Sequence, residues 1–334
     1  MQALPLALFL VMLELTAGSF ISLWLLDLRG DSSRGFIIFQ GALYAFFALL
    51  TLGAMSAFAS PQIVRGYGLD GWWLGAQGPL TLAFLLAMLP WNVLLWLDRS
   101  PRKGAKGKAA AITKGGARLR LARFALGGAV SLVALADLFV VGMAYRTLAD
   151  SRLGGALVVL ALVFGALALG GSMTAMLLGH WYLNTPTASG KPLEFVTMLT
   201  IAGLALVLLT SPFIGPSTAR PTIQKVTVAP GTTIQTNGGQ VAISTPTVSG
   251  SQGQSDLPSQ SDTTTREAPI TNTALVALEY ILGLLAPLVL AGVALYLTRG
   301  RSFQSATGML YLCVSFVFLG EILAGGLLLF PIFL

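Results

Sequence analysis

Four acidic side chains lie within long apolar segments of this sequence, and their chemistry could serve a membrane protein. They are Glu14, Asp137, Glu279 and Glu321. An ionisable side chain in hydrocarbon costs about 2.5–3.5 kcal/mol on insertion scales. Carboxyl groups at such positions are typical of proton relays and ligand sites. The alternative is that each is a protonated acid that hydrogen-bonds to a neighbouring helix.

Three of these acids are followed four residues later by glycine. The pairs are Glu14 and Gly18, Glu279 and Gly283, and Glu321 and Gly325. Residues i and i+4 lie on one face of a helix, and a small residue there allows a second helix to approach closely. We therefore expect these carboxyl groups to point into a helix bundle and not into lipid.

The segment Gly179-His180-Trp181-Tyr182 combines an imidazole with two aromatic rings at the end of an apolar run. A quinone head group requires hydrogen-bond donors, an apolar slot and a nearby proton carrier. His180, Trp181 and Tyr182 are therefore candidate quinone or proton-path residues. The alternative is that they are ordinary interfacial anchors and a helix-end histidine. The pairs Trp72-Trp73 and Trp91-Asn92 are also interpreted as interfacial anchors.

Composition restricts the class of protein. Of 334 residues, 55% are hydrophobic and 10% are charged, against roughly 25% charged in a soluble domain. The chain has one histidine and one cysteine, Cys313. A bis-histidine haem and a thiolate metal cluster each need more ligands than that. We therefore expect no metal-bound or covalent cofactor in this chain, with quinone or quinol as a bound substrate by hypothesis.

Apolar segments of about the length that crosses a bilayer recur eight times. The sequence predicts an all-α, polytopic transmembrane bundle of about eight spans. Residues 1–214 contain six helices and a basic loop, 98–123; residues 215–272 form a long loop; residues 273–334 contain two helices. The spans are Leu4–Leu26, Phe36–Phe58, Ala76–Leu97, Arg123–Tyr145, Gly154–Leu178, Leu193–Ile214, Thr273–Leu297 and Ser305–Phe330.

Orientation follows from the distribution of Lys and Arg. Nine of them lie in the loop 98–123, and fourteen of the 20 lie on its side of the membrane. The positive-inside rule places that side, here called the inner side, in the cytoplasm. Both termini and the loop 215–272 are then extracytoplasmic. The formal charge of +7 is accounted for by this orientation, so we expect the bilayer and not nucleic acid as partner.

The loop 215–272 is expected to contain a β-hairpin followed by a disordered linker. Thr222–Val228 and Thr233–Thr236 alternate as strands do, and Asn237-Gly238-Gly239 is a turn before Gln240–Ile243. From Ser244 to Arg266 the composition is Ser, Thr, Gln and Gly, which is typical of a linker.

Both ends of the chain resemble the NrfD-like family of membrane subunits, the polysulfide reductase and DMSO reductase anchors. The segment Pro5–Phe20, with its Ala17-Gly18-Ser19 step, is similar to the opening helix of that family. Leu282-Gly-Leu-Leu-Ala-Pro287 and Leu319-Gly-Glu-Ile-Leu323 resemble its Gly-Leu-Leu-Pro and Gly-Glu-Ile-Leu elements. The match covers about sixty residues. Ala324-Gly325-Gly326 stands where the family often has an arginine and aromatic residues.

The resemblance implies a quinone-interacting anchor that works beside an iron–sulfur or haem protein, with Glu14, Asp137 and Glu321 as proton-handling candidates. The first hypothesis is therefore a membrane subunit of a respiratory-type oxidoreductase, at most the quinone-handling part of an enzyme. Two alternatives remain: a proton-coupled secondary transporter, or a structural subunit that holds a larger complex in the membrane. Transporters often show internal repeats, and the halves of this chain show no convincing one.

Overall fold

A computed structural model describes residues 3–58, 69–98, 114–149, 151–185, 187–214, 233–237, 240–244 and 273–329. Several predicted features lie outside these residues: most of the basic loop, the strand Thr222–Val228, the hairpin turn at Gly238-Gly239 and the linker after Ser244.

Eight helices in the described residues are long and apolar enough to cross a membrane, which confirms the predicted bundle. The first six are α1 (Ala3–Arg29), α2 (Arg34–Phe58), α3 (Gly71–Leu97), α4 (Lys114–Tyr145), α5 (Arg152–Asn184) and α6 (Lys191–Thr210). The seventh, α7, begins as Thr273–Leu278, continues as the π-helix Glu279–Leu285 and ends as Ala286–Arg299. The last is α8 (Phe303–Leu329). Several helices extend beyond their predicted spans, as interfacial turns commonly do.

Helix α1 lies at the centre of the bundle. Within its membrane span 89% of the most apolar window is buried, whereas the other seven spans reach at most 50%. It packs against α2, α4, α5 and α8, and also touches α6. The polar residues in the middle of α1, such as Glu14 and Ser19, are therefore surrounded by protein.

The inner ends of three helices are joined by a buried ion cluster. Arg123 on α4 lies between Asp27 at the end of α1, with Nε 3.1 Å from Oδ2, and Asp98 after α3, with NH1 2.6 Å from Oδ2. All three side chains are at most 7% exposed. Nearby, the guanidinium of Arg34 donates to the carbonyls of Leu95 and Trp96 at 2.9 Å and so caps α3.

Trp91 is not an interfacial anchor, and this part of the sequence interpretation is wrong. Its side chain is fully buried and meets Phe20 edge-on at 4.9 Å between ring centroids. Gly127 on α4 makes room for it, since a Cβ there would be 2.7 Å from the indole nitrogen. The exposed Trp72, by contrast, keeps the surface position expected of an anchor.

The two strands of the hairpin belong to one unit of the chain, residues 220–270, and the helices belong to the other. The strands are β1 (Thr233–Asn237) and β2 (Gln240–Ser244). They pair antiparallel, with Ile234 opposite Ile243. The predicted hairpin is thus confirmed in its described strands.

Candidate functional site

The carboxyl groups of Glu14 on α1 and Glu321 on α8 lie next to each other inside the helical unit. Glu14 is 3% exposed, and Glu321 is partly buried. Two adjacent carboxylates repel each other when both are ionised, and a proton on one of them allows it to donate a hydrogen bond to the other. The pair is therefore a candidate site for holding a proton.

Glu279 extends this arrangement toward the surface of the bundle. Its side chain and that of Glu321 line one narrow cleft with a volume of about 10 Å³, enough for about one water molecule. The other residues of the cleft are Val207, Gly283, Leu284, Gly320 and Ala324. Three acids thus follow one another from a cleft between α6, α7 and α8 to the buried face of α1.

Glycines bring the helices that carry these acids into close contact. A Cβ on Gly283 of α7 would lie 2.7 Å from the Cα of Gly320 on α8. A Cβ on Gly18 of α1 would collide with the carbonyl oxygen of Ala166 on α5, and Gly170 has the same relation to the backbone of Gly18. Such contacts require glycine, because any side chain would separate the helix backbones.

The π-helical segment of α7 begins at Glu279 itself. A π-turn inserts an extra residue into the helical repeat and occurs often at functional sites. The π-helical segment contains Gly283, which lies at the crossing with Gly320 of α8. The same segment contributes Glu279 to the cleft.

Asp137 lies apart from the three glutamates. It is fully buried on α4, and its Oδ2 accepts a hydrogen bond of 2.7 Å from the hydroxyl of Thr81 on α3. Within the described residues no protein atom pairs with Asp137 Oδ1 or with Nε2 of the buried Gln77. None of the described contacts connects Asp137 to Glu14.

His180 also lies apart from the acids. Its side chain is exposed on the surface of the helical unit, and Nδ1 lies 3.3 Å from the hydroxyl of Tyr311 on α8. Tyr311 is 44% exposed. An imidazole and a phenol therefore form a polar pair on a surface otherwise rich in apolar side chains.

The two residues after His180 point elsewhere. The Trp181 ring packs edge-on against Phe36, 5.9 Å between centroids. Tyr182 is buried, and its hydroxyl donates to the carbonyl of Ser189 at 2.8 Å, which ties the turn between α5 and α6 to the helix. Of the segment predicted to bind a head group, only His180 presents a free face to a ligand from the membrane.

Sequence reasoning missed a set of buried hydroxyl groups around α1. Tyr44 on α2 bonds Thr174 on α5 at 2.8 Å between oxygens, and Thr16 bonds Thr51 at 2.9 Å. The signal was available, since tyrosine and threonine inside an apolar span are polar groups that need a partner. The signal was weak because a threonine hydroxyl can also donate a hydrogen bond to a carbonyl of its own helix, as Thr16 does to the Met12 carbonyl.

Comparison of the chain with protein-family models, curated proteins and solved structures finds no match in any of the three. The resemblance to the NrfD-like subunits stays a prediction from the sequence. The eight spanning helices establish an integral membrane protein.

Proposed function

We propose that this protein is the proton-handling membrane subunit of a respiratory-type oxidoreductase that uses quinone or quinol. The observation that carries the proposal is the line of three carboxyl groups from the cleft at Glu279, through Glu321, to the buried Glu14. The electrons would pass through redox centres of partner chains, such as an iron–sulfur or haem protein.

The carboxyl line suits proton transfer for a physical reason. Two carboxylates in contact repel each other when both are ionised, so the pair retains a proton that either partner can hold. By this route a proton that enters at Glu279 passes to Glu321 and then to Glu14. In each transfer the acid that gives up the proton becomes ionised, and the neighbour that receives it becomes neutral.

The pair His180 and Tyr311 supports the quinone part of the proposal. Quinones dissolve in the bilayer and reach a protein from its lipid-facing surface. There the imidazole and the phenol hydroxyl lie 3.3 Å apart and exposed, so each can donate a hydrogen bond to a quinone carbonyl. The resemblance of both chain ends to quinone-handling anchors points the same way.

The test is made on the complex purified in mild detergent, with its partner proteins and lipids identified by mass spectrometry. Glu14→Gln and Glu321→Gln each keep shape and remove the exchangeable proton. We expect both to lower quinol-linked turnover on the order of 10²-fold, the lower end for a positioned proton-transfer group, while the complex stays assembled. Unchanged turnover in both variants, with quinol oxidised normally, contradicts the proposal and favours a structural subunit.

Glu194→Gln is the matched control for these variants. Glu194 is a glutamate at the inner end of α6, partly exposed, with Oε2 3.8 Å from the Nε of Arg299. It lies outside the carboxyl line, so its replacement is expected to leave turnover within about twofold of wild type, as for weak exposed ion pairs.

A second candidate is a proton-coupled secondary transporter. The observation that favours it is the interrupted helix α7, whose π-segment Glu279–Leu285 borders the cleft, because transporters build sites at irregular helices. A chain that purifies without redox partners or quinone, and that takes up solute in vesicles only under a proton gradient, would select this function instead.

A further inference from the structure

Buried polar side chains continue beyond Glu14 toward the inner side of the bundle, between α1, α2 and α5. On α1 they are Ser19 and Ser22, both with no exposed surface. On α2 they are Gln40 and Tyr44, at most 1% exposed. Thr174 of α5 completes the set. None of these residues belongs to the carboxyl line described above.

The packing of α1 against α2 places these residues at successive depths. The two helices are antiparallel, and Thr16 meets Thr51 while Ser19 lies beside the hydroxyl of Tyr44. One further turn along each helix brings Ser22 to the level of Gln40. Ser22 is also two turns beyond Glu14 on α1, about 12 Å along the axis at 1.5 Å per residue.

Three of these side chains carry an oxygen that has no hydrogen-bond partner among the described residues. They are Ser19 Oγ, Ser22 Oγ and Gln40 Oε1. A buried polar atom without a partner is costly in hydrocarbon, and in proteins such atoms are satisfied by internal water. Gln40 lies six residues after Arg34, the first residue of α2, or about 9 Å from the inner end of that helix.

We propose that the space between α1, α2 and α5 holds a file of water molecules, lined by Ser19, Ser22, Gln40 and Tyr44, that connects Glu14 with the inner side. The role of this water file rests on the proposed function, because the file supplies the inner half of the proton path. Glu14 receives a proton from Glu321 and releases one to the first water. Each water accepts one proton and passes another on, so no atom is consumed.

The file itself is tested by hydroxyl-radical footprinting of the intact protein, because radicals generated from internal water modify the side chains beside it. Tyr44 is the reporter. Phe20 is the internal control, equally buried but packed against Phe84 and Trp91. With rates normalised to the unfolded chain, we expect Tyr44 to be modified about tenfold faster than Phe20, a difference of about 1.4 kcal/mol in barrier. Equal protection of the two rings overturns the inference and leaves the carboxyl line intact.

The role of the file is tested by proton transfer in the complex. The double variant Ser22→Ala and Gln40→Met removes the unpartnered Ser22 Oγ and Gln40 Oε1 and keeps the volume close to that of wild type. We expect proton transfer about tenfold slower, again about 1.4 kcal/mol. The control Ser131→Ala removes a serine hydroxyl that is buried on α4 and bonded to its own helix, and should change nothing.

Failures of the two proposals are distinguishable. If Tyr44 is modified but Glu14→Gln and Glu321→Gln leave turnover unchanged, the water file stands and the proposed function falls. If the glutamate variants slow turnover and the double variant does not, the carboxyl line stands and the inner route through Ser22 and Gln40 is overturned.

Discussion

The carboxyl group of Glu321 on α8 lies against Gly165 on α5, where a Cβ atom would be 2.8 Å from Glu321 Oε1. The glycine provides the space in which Glu321 reaches Glu14. An acid and a glycine on different helices thus act together, although neither is informative alone.

We expect Gly165→Ala to lower quinol-linked turnover about tenfold by displacing the Glu321 carboxyl from Glu14, an effect of about 1.4 kcal/mol. Alanine favours a helix over glycine, so the fold should persist. Gly75→Ala is the control, because a Cβ on Gly75 meets nothing within 4 Å. Equal turnover of both variants would show that Glu321 does not depend on this gap.

The crossing of α7 and α8 at Gly283 and Gly320 should be a determinant of stability. Gly283→Ala places a Cβ against backbone, 2.7 Å from the Gly320 Cα, and overpacking of this kind costs about 1–3 kcal/mol. Thermal unfolding in detergent should show a lower midpoint. Gly292→Ala on the same helix has open space and should melt at or above the wild-type temperature. A Gly283→Ala variant as stable as this control would contradict the prediction, because it would mean that α7 and α8 can move apart at this crossing without a loss of stability.

Removing Arg123 should destabilise the inner end of the bundle more than removing any exposed arginine. Arg123→Met removes the guanidinium that contacts both Asp27 and Asp98, and breaking a buried ion pair costs about 3–5 kcal/mol. Arg29→Met is the matched control: its partner Asp31 lies 3.6 Å away and Arg29 is 41% exposed, so the loss should stay below about 1 kcal/mol. Comparable unfolding of both variants in a denaturant series would contradict this ranking.

Replacement of His180 or Tyr311, the exposed pair, should weaken quinol binding and leave proton transfer within the carboxyl line unaltered. His180→Phe and Tyr311→Phe should each raise the KM for quinol about tenfold, since one hydrogen bond to a head group contributes on the order of 1 kcal/mol or more, with little change in thermal stability. Tyr296→Phe on α7 is the control, because it removes an even more exposed phenol hydroxyl from a helix that carries neither member of the pair. An unchanged KM in both test variants would remove this surface from consideration as the quinone site.

Glu14 and Glu279 show how far sequence reasoning reached into the site. Each was predicted to face the bundle because a glycine follows four residues later, and Glu14 is indeed buried while Glu279 lines the cleft. Asp137 was grouped with them as another acid within an apolar segment, and the structure instead pairs Asp137 with Thr81 on α3. Depth along a helix follows from residue number, but the direction in which a side chain points depends on which helices are neighbours.

The sequence by itself determined that the chain is an eight-helix membrane protein with a hairpin in its long loop, because hydrophobic length and turn composition are local properties. It also limited metal chemistry, through its single histidine and single cysteine. Only the tertiary structure decided that Glu14 meets Glu321, that His180 turns outward to Tyr311, and that Arg123 joins two aspartates. These contacts join residues 25 to more than 300 positions apart, and the pairing of helix faces that creates them is set by glycine gaps and packing across the whole bundle.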